Sequence, residues 1–304
     1  MNDYPLVSII MPNWNGLHYT LTCLESIKRL DYPLSKIEVI IADNGSTDGS
    51  QARLPEYLGE LELNGLYRGE FIEMGSNVGA PAAYNACINR MSRESQYVIK
   101  IDNDTKLFPG SIRGLLEGFQ SADRVGVVGA MIVDYNATHI VHGPGYLNPW
   151  SQDAFQGNPY QMVECDWVNG ACMMIDATLF RVHGLTFPED YFLYFDDIDF
   201  CLRVRDLGYR VIYYPATMIA HAVSASASDR DRNARKLYYL FRGRLMLLRR
   251  HGTIRQKVFY LFPRLLIGIH LSAVRAYLHG RADIVRPLYR AYWDFLTNNY
   301  GKRI

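Results

Sequence analysis

Short apolar runs alternate with amphipathic segments along the first two thirds of the chain. An apolar run that ends in a polar or glycine-rich loop is typical of a buried strand. Four such runs lie at residues 6–11, 37–42, 70–73 and 97–101. The spacing of Leu21, Leu24 and Ile27 predicts a helix after the first strand, and an alanine-rich segment predicts another over 80–91. This alternation predicts parallel βαβ units, in which ligands bind beyond the carboxyl ends of the strands.

The pattern is less regular beyond residue 105. It predicts strands at 125–133, 172–175 and 209–214, loops or a hairpin over 134–160, and a helix that ends near Gly208. We therefore expect an α/β catalytic domain over residues 1–228. A helical extension follows over residues 229–304.

Composition narrows the class of protein. Hydrophobic residues make up 49% of the chain and charged residues 21%, which is typical of a globular protein and not of a disordered one. The five cysteines are odd in number and lack CxxC or zinc-finger spacing, so we expect reduced, buried thiols. The first residues have no basic segment, and the apolar run at 6–11 is too short for a signal sequence. We expect a cytoplasmic protein.

The two predicted domains differ in charge. Residues 1–228 carry 15 basic and 27 acidic side chains, whereas residues 229–304 carry 17 basic and 4 acidic ones. This asymmetry indicates an anionic partner for the extension. An amphipathic basic helix over 230–250 that lies on an anionic membrane surface fits this pattern, and the apolar segment 258–269 is too short to span a bilayer. The alternative is a helical appendage that packs on the catalytic domain or on a second copy. We expect no nucleic-acid partner, because no recognised binding fold is present.

Asp102 and Asp104 follow the apolar run 97–101 directly. Alternate residues of an extended chain leave on the same face, about 6 to 7 Å apart along the backbone. Two carboxylates in this position suit Mg2+ or Mn2+ that also binds a substrate phosphate. A solvated acidic loop is the alternative interpretation.

Three further segments carry candidate chemistry. Asp43 opens a loop rich in Asn, Gly and Ser, which is either a plain turn or a contact to a base or ribose. The acidic run that begins at Asp196 either caps a helix or supplies a general base, for which we select Asp197. His221 is either a structural histidine or a further metal ligand, and a histidine ligand favours Mn2+ over Ca2+.

Taken in order, these segments resemble the motifs of family 2 glycosyltransferases with a GT-A fold, in the rhamnosyltransferase-like branch. The resemblance covers about residues 5–225, with Asn85 and Arg203 as additional matches. The motifs are VSIIMPNWNG (7–16), IADNGSTDG (41–49), NVG (77–79), DND (102–104), NGA (169–171) and FDDID (195–199).

The resemblance implies a role for each matched position. The donor, a dTDP-, UDP- or GDP-linked sugar, would be bound by Pro12, Asn13, Asp43, Asn77, Asp102 and Asn103. The metal ligands would be Asp104 and His221, with Asp102 at the ribose or at the metal. Asp197 would be the catalytic base. The acceptor would be bordered by Trp167, Asn169, Gly170 and Asp196. The first acid of the family motif is often Glu and is Asp196 here, so either 196 or 197 could face the cleft.

These roles imply an inverting transfer of a sugar, with rhamnose suggested by the branch, to a glycan acceptor on a lipid pyrophosphate. The enzyme would then act on the inner face of the cell membrane in polysaccharide or glycoconjugate synthesis. Two other classes remain open. A sugar-phosphate nucleotidylyltransferase uses a similar domain but normally has a Gly-rich basic signature near its start, which is absent. A non-catalytic carbohydrate-binding protein would not need Asp104 and Asp197 together.

Overall fold

The structure of the chain is a computed structural model that describes residues 4–151, 153–222 and 230–302. The predicted domain boundary at 228/229 lies outside these residues. The strands are β1 Val7–Asn13, β2 Ile37–Asp43, β3 Arg68–Glu73, β4 Tyr97–Ile101, β5 Thr105–Leu107, β6 Val125–Asp134, β7 Ile140–His142, β8 Gly145–Leu147, β9 Ala154–Gln156, β10 Val163–Glu164, β11 Cys172–Asp176 and β12 Arg210–His221.

The α-helices are α1 Leu17–Lys28, α2 Ser50–Leu63, α3 Ala80–Ile88, α4 Ser111–Gln120, α5 Thr178–Arg181, α6 Asp196–Asp206, α7 Arg230–His251, α8 Ile254–Gln256, α9 Ile269–Leu278 and α10 Val285–Leu296. Two π-helical segments, Lys257–Leu261 and Arg264–Gly268, join α8 to α9 in one helical run. Within the described residues, no helix combines the length and the apolar character that a membrane span requires.

A mixed sheet forms the centre of residues 4–222. Its main path runs β10-β12-β6-β11-β4-β1-β2-β3, with β5 and β7 paired at its side. Strands β4, β1, β2 and β3 are parallel, and β11 is antiparallel to both β4 and β6. The predicted parallel βαβ units are confirmed in this half, and their polar loops meet at the carboxyl ends of β1, β2 and β4.

Apolar packing on both faces explains why the central strands are continuous apolar runs. Every residue of β2 is buried, and successive residues Ile9 and Ile10 of β1 belong to different apolar clusters. Side chains of a strand alternate between the two faces of its sheet, so the clusters lie on opposite sides. Burial of one such side chain contributes about 1.5–3 kcal/mol.

Three features differ from the sequence-based expectations. Helices α2 and α4 were not expected. Helix α4 depends on a close approach that spacing alone does not reveal, because a Cβ on its Gly114 would lie 1.7 Å from the Thr217 hydroxyl. The strand expected over 209–214 continues to His221, with a register shift around Pro215. This irregularity lets one strand carry His221 to the edge of the cleft.

The C-terminal helices pack on the part of the chain that contains the sheet. Leu247 of α7 lies within an apolar cluster formed mainly by residues before 222, and Gln256 donates a hydrogen bond to the Pro149 carbonyl. The six basic residues expected on a membrane-facing helix are Arg235, Lys236, Arg242, Arg244, Arg249 and Arg250. The last four contact other parts of the protein, and only the first two are simply exposed. Helix α7 therefore matches the alternative expectation of a packed appendage.

Candidate active site

The acidic pair and His221 come together at the end of two strands. Strand β5 follows the pair directly and pairs with the last residues of β12, so that Thr105 lies opposite His221. The His221 Nε2 atom lies 3.0 Å from Asp104 Oδ1 and 3.8 Å from Asp102 Oδ2. Burial lowers the pKa of His221, but the Asp104 hydrogen bond and the charges of both carboxylates outweigh it, so that the net shift is upward.

These three residues fit a divalent cation. One ligand atom from each lies within 4.8 Å of the other two. The buried His221 Nδ1 atom has no hydrogen-bond partner in the described chain. Two carboxylate oxygens and one imidazole nitrogen form a donor set that suits Mn2+ or Mg2+.

Tyr84 and Lys100 are two buried neighbours of the cluster to which sequence reasoning gave no role. Tyr84 donates its hydroxyl to Asp102 Oδ1 at 2.6 Å, and burial with the nearby carboxylate raises its pKa well above 10. The Lys100 ammonium lies 3.9 Å from Asp102 and 4.2 Å from the centre of the Tyr84 ring. A lysine within an apolar strand could have indicated that Lys100 belongs to the site, because a buried charge needs a specific partner.

Asp43 is fully buried and organises the loop that follows β2. Its Oδ1 accepts hydrogen bonds from the Asn13 amide and the Ser46 hydroxyl, at 2.7 and 2.5 Å. Its Oδ2 accepts from the Ser46 N–H and from Gln51, at 2.8 and 3.2 Å. Because four hydrogen-bond donors already occupy the carboxylate, the base of a nucleotide sugar would have to replace one of them or bind beside the carboxylate. The predicted contact of Asp43 to a base stays a prediction.

The amide side chains of Asn13 and Asn103 connect the first strand to the acidic pair. Asn13 Oδ1 accepts hydrogen bonds from Thr20 and from Asn103, at 2.8 and 3.2 Å. Pro12 is half-buried on the same strand, whereas Asn77 accepts the Gly79 N–H within its own loop. The residues predicted to bind the nucleotide sugar thus surround the carboxyl ends of β1, β2 and β4, and their individual roles remain predictions.

Asp197 lies at the start of α6, with its carboxylate fixed by the backbone. Its Oδ2 accepts the Gly170 N–H at 2.9 Å, and its Oδ1 accepts the Ile198 N–H at 2.9 Å. Lys100 donates to the Gly170 carbonyl at 2.6 Å. Lys100 and Gly170 therefore connect Asp102 to the predicted base Asp197 through a chain of close contacts.

Asp196 is the more buried of the two acids. Burial raises its pKa to about 7, against the opposing effect of the Lys100 charge, and the neighbouring Asp197 and Asp102 carboxylates raise it further. Of the pair, Asp197 has the greater exposure. Asp197 is therefore the acid of the pair that faces solvent, and its contact to a substrate stays a prediction.

The other residues predicted to border the acceptor sugar differ in their exposure. Trp167 is only 7% exposed, because its ring packs against Gly145, where a Cβ would lie 2.1 Å from the indole. Asn169 is half-buried and accepts the Ala171 N–H. Their contacts to an acceptor stay predictions.

His142, in the segment expected to be loops or a hairpin, lies close enough to His221 and Asp197 for their charges to act on it. Burial and the charge of His221 lower its pKa, while the charge of Asp197 raises it. Its Nδ1 atom is 2.6 Å from the Gln156 amide. No sequence signal distinguishes this histidine, because an irregular hairpin brings it close to His221 and Asp197.

Comparison with solved structures defines the fold. The mannosyltransferase PcManGT from Pyrobaculum calidifontis, solved in complex with GDP-Man and Mn2+, superposes with a TM-score of 0.63 at 18% identity, covering 98% of this chain and 89% of that one. GalNAc-T7, solved with UDP, GalNAc and Mn2+, gives a TM-score of 0.67 at 13% identity, covering 99% and 59%. The fold is that of GT-A glycosyltransferases, as predicted.

Sequence comparison then gives the family. The model of glycosyl transferase family 2 matches residues 8–175, and that of glycosyl transferase family group 2 matches residues 97–296. The N-acetylglucosaminyl-diphospho-decaprenol L-rhamnosyltransferase of Mycobacterium tuberculosis is 27% identical over 223 residues, covering 64% of this chain and 69% of the relative. The chain belongs to glycosyl transferase family 2, in its rhamnosyltransferase-like branch.

Proposed function

We propose that the chain is a metal-dependent, inverting glycosyltransferase that moves a hexosyl group from a nucleoside diphosphate to a glycan on a lipid pyrophosphate. The observation that carries this proposal is the link from the Asp102, Asp104 and His221 cluster through Lys100 and Gly170 to Asp197. The similarity to the mycobacterial rhamnosyltransferase supports a lipid-linked acceptor and L-rhamnose as the first sugar to test.

In the proposed reaction an acceptor hydroxyl attacks the anomeric carbon from the face opposite the diphosphate. The new C–O bond forms as the bond to the diphosphate oxygen breaks, and Asp197 takes the hydroxyl proton. The two backbone N–H groups that bind the Asp197 carboxylate fix its direction toward the acceptor. General-base catalysis of this kind typically contributes about 100- to 10,000-fold.

The opposite end of the same transition state needs charge compensation. A cation held by Asp102, Asp104 and His221 would stabilise the negative charge of the leaving diphosphate as a Lewis acid, and Mn2+ and Mg2+ are both candidates. Asn13, Asn103 and the Asp43 loop would hold the nucleotide, with Pro12 and Asn77 at the edges of its pocket.

A donor panel tests this function. UDP-, GDP- and dTDP-linked sugars, dTDP-rhamnose included, are incubated with prenyl-diphospho-N-acetylglucosamine and Mn2+ or Mg2+. We expect transfer from one donor class, loss of transfer in EDTA, and an inverted anomeric centre by NMR. Nucleotide-sugar synthesis from a nucleoside triphosphate and a sugar 1-phosphate would favour the nucleotidylyltransferase class. Binding of a donor without turnover would favour a non-catalytic carbohydrate-binding protein.

The extension supports a location at the inner face of the membrane, through a surface different from α7. In the helical run 254–278 buried positions face the protein, while large apolar side chains on the other side are exposed, up to 82% at Ile254. On α10 Tyr289, Trp293 and Leu296 share one exposed face. We call these exposed side chains of 254–278 and α10 the apolar surface. They are Ile254, Val258, Phe259, Phe262, Ile267, Leu271, Val274, Tyr277, Leu278, Tyr289, Trp293 and Leu296.

Charge favours an anionic bilayer over a second copy as the partner of the apolar surface. Residues 252–304 carry nine basic and two acidic side chains. The two acids are already engaged, Asp283 with Arg281 and Asp294 with Tyr238. A homodimer through this surface would bring two positive surfaces together, whereas anionic headgroups attract each basic side chain by about 1 kcal/mol. Apolar side chains beside basic ones are typical of a helix that lies in the plane of the interface.

Vesicle flotation tests this location. We expect the protein to float with phosphatidylglycerol-containing vesicles in a salt-sensitive manner and to bind pure phosphatidylcholine weakly. Leu271→Glu with Leu278→Glu should abolish flotation, whereas Leu63→Glu, at an exposed position of α2, should not. Flotation that these substitutions leave unchanged would contradict the assignment. A dimer that the same substitutions dissociate would favour the second copy.

A further inference from the structure

The segment before the predicted base has an unusual backbone. Phe192, Tyr194 and Phe195 have φ values of +66°, +63° and +68°, and Phe195 is the residue directly before α6. Residues other than glycine rarely adopt positive φ, and such a conformation persists only where surrounding contacts fix it. We call residues 191–195 the acid loop, because it leads into Asp196 and Asp197.

Arg242 of α7 holds the start of the acid loop. This arginine is fully buried, and its guanidinium donates to the Tyr191 carbonyl at 2.8 Å and to the Asp190 carbonyl at 3.2 Å. The same group donates to the Tyr238 hydroxyl and to the Gly301 carbonyl. A buried guanidinium that serves carbonyl groups of separate segments fixes their relative positions.

Two aromatic contacts hold the rest of the loop against the same helix. The Phe192 ring stacks on Tyr239 with ring centres 5.1 Å apart. The Phe195 ring lies over Gly243, where a Cβ would come within 2.7 Å of it. Glycine in the interior of a helix is unfavourable compared with alanine, so its presence here is explained by the space that Phe195 needs.

Asp199 joins α6 itself to the end of α7. Its carboxylate is 1% exposed, and Oδ2 lies 2.9 Å from the Tyr191 hydroxyl, 3.1 Å from Arg250 and 3.2 Å from His251. Burial alone would raise the pKa of Asp199, but the His251 hydrogen bond and the Arg250 and His251 charges lower it below its usual value. Through its contacts with Arg250 and His251, Asp199 attaches the first turn of α6 to the end of α7.

We propose that α7 is a positioning element for the active site: through Arg242, Gly243 and the Asp199 contacts it holds the acid loop in its left-handed conformation and so directs Asp197 toward the acceptor. This inference rests on the role proposed above for Asp197. The acid loop also contacts the segment after Asn77, a residue predicted to bind the nucleotide sugar. The Phe192 carbonyl accepts the Ala80 N–H, and Phe192 packs against Gly79. None of these residues contacts the predicted reacting atoms, so we regard them as positioning residues.

Gly243→Ala tests the proposal, with Gly59→Ala as its matched control. Both glycines lie inside helices, but a Cβ at Gly59 would meet no heavy atom within 4 Å. The control should raise the melting temperature by about 1–3 °C, because alanine is the better helix former. Gly243→Ala should instead displace the Phe195 ring.

Hydrogen–deuterium exchange supplies a readout that needs no substrate. In Gly243→Ala we expect faster exchange confined to peptides that cover 191–199, with wild-type exchange in the sheet and an unchanged Mn2+-dependent melting shift. In the donor assay kcat should fall about tenfold or more while KM for the donor stays constant, since misplacement of a catalytic group affects the chemical step. The control should match the wild type in both measurements.

A milder variant covers the case in which Gly243→Ala does not fold. His251→Gln keeps a hydrogen-bond donor near Asp199 but removes the charge that histidine can carry, and we expect the same pattern of exchange at smaller amplitude. Unchanged exchange over 191–199 in the folded variants would overturn the positioning role. If Asp197→Asn keeps full activity, the proposed base is wrong. If only Asp197→Asn is inactive and Gly243→Ala is normal in both readouts, the base stands and the positioning role fails.

Discussion

The two acidic groups of the candidate site are held in different ways. Asp102 and Asp104 follow a regular, very buried strand, and paired strands β5 and β12 place His221 beside them. Asp196 and Asp197 follow three residues with positive φ, whose conformation depends on contacts with α7. The proposed metal side is thus built by backbone hydrogen bonds of the sheet, whereas the loop that leads to the proposed base is held by side chains from a separate part of the chain.

Because of this difference, we expect the two sides to tolerate substitutions to different degrees. A sheet ladder is cooperative and includes many residues, so a single substitution near it changes its geometry little. The acid loop relies on a few specific contacts, and loss of one can release strain of about 1–3 kcal/mol per residue. We therefore expect the metal side to withstand changes in the extension that misplace the base side.

The largest expected effect on the transfer rate comes from two variants, each of which removes one carboxylate from one side. Asp104→Ala and Asp197→Asn should each lower the transfer rate by about 100- to 10,000-fold. Only Asp104→Ala should lose the Mn2+-dependent rise in melting temperature, because a ligand that binds the folded state stabilises it. Differential scanning fluorimetry with and without Mn2+ measures this difference.

Asp123→Asn, at an exposed position before β6, is the control for both variants and should behave as the wild type. If Asp197→Asn also lost the Mn2+ response, the two sides would not be separable, and the comparison would be wrong.

A smaller effect is expected from Lys100→Met, because the Lys100 charge acts on both sides. Loss of the ammonium removes a positive charge 3.9 Å from Asp102, so Mn2+ should bind several-fold more tightly. It also removes the group that lowers the pKa of Asp196, which should titrate at higher pH. Isothermal titration calorimetry with Mn2+ measures the first change. Lys28→Met, on the exposed surface of α1, should leave the affinity unchanged, and weaker binding in Lys100→Met would contradict the electrostatic account.

The smallest effect is a change in how stability depends on pH. The raised pKa of Asp196, about 7 against an ordinary 3.8, means that the folded chain keeps a proton which the unfolded chain releases. The free energy of unfolding should therefore fall as pH rises from about 4 to about 7, and this contribution should be absent in Asp196→Asn. Urea unfolding in metal-free buffer measures it. Parallel pH profiles for the two proteins would show that Asp196 is ionised in the fold.

The sequence allowed the strands that lead to the acidic pair to be predicted. Apolar runs with polar ends locate β1, β2 and β4, and the DND motif follows the end of β4 directly, so local pattern and function coincide. The start of α6 at Asp196 could also be predicted from the sequence, because its acidic first turn is a local signal.

The surroundings of the base could not be predicted, because they depend on tertiary contacts. Nothing local to residues 191–195 indicates positive φ, since no glycine is present there. The basic character of α7 suggested a membrane surface, but charge alone does not reveal whether an arginine faces solvent or, like Arg242, is buried against carbonyl groups. Helix α7 carries eight basic residues in 22, whereas residues 254–296 carry seven in 43, yet the less basic segment is the one that exposes the apolar surface.

The start of α3 has a consequence for how a diphosphate can be neutralised. A helix N-terminus commonly binds phosphate through its free amide groups. Here the Ala80 amide already has the Phe192 carbonyl as its acceptor, and Pro81 has no amide proton. The first two positions of α3 therefore offer no hydrogen bond to an anion, so in the proposed reaction the charge of the diphosphate would be balanced by the proposed cation instead. An enzyme arranged in this way should depend steeply on divalent metal.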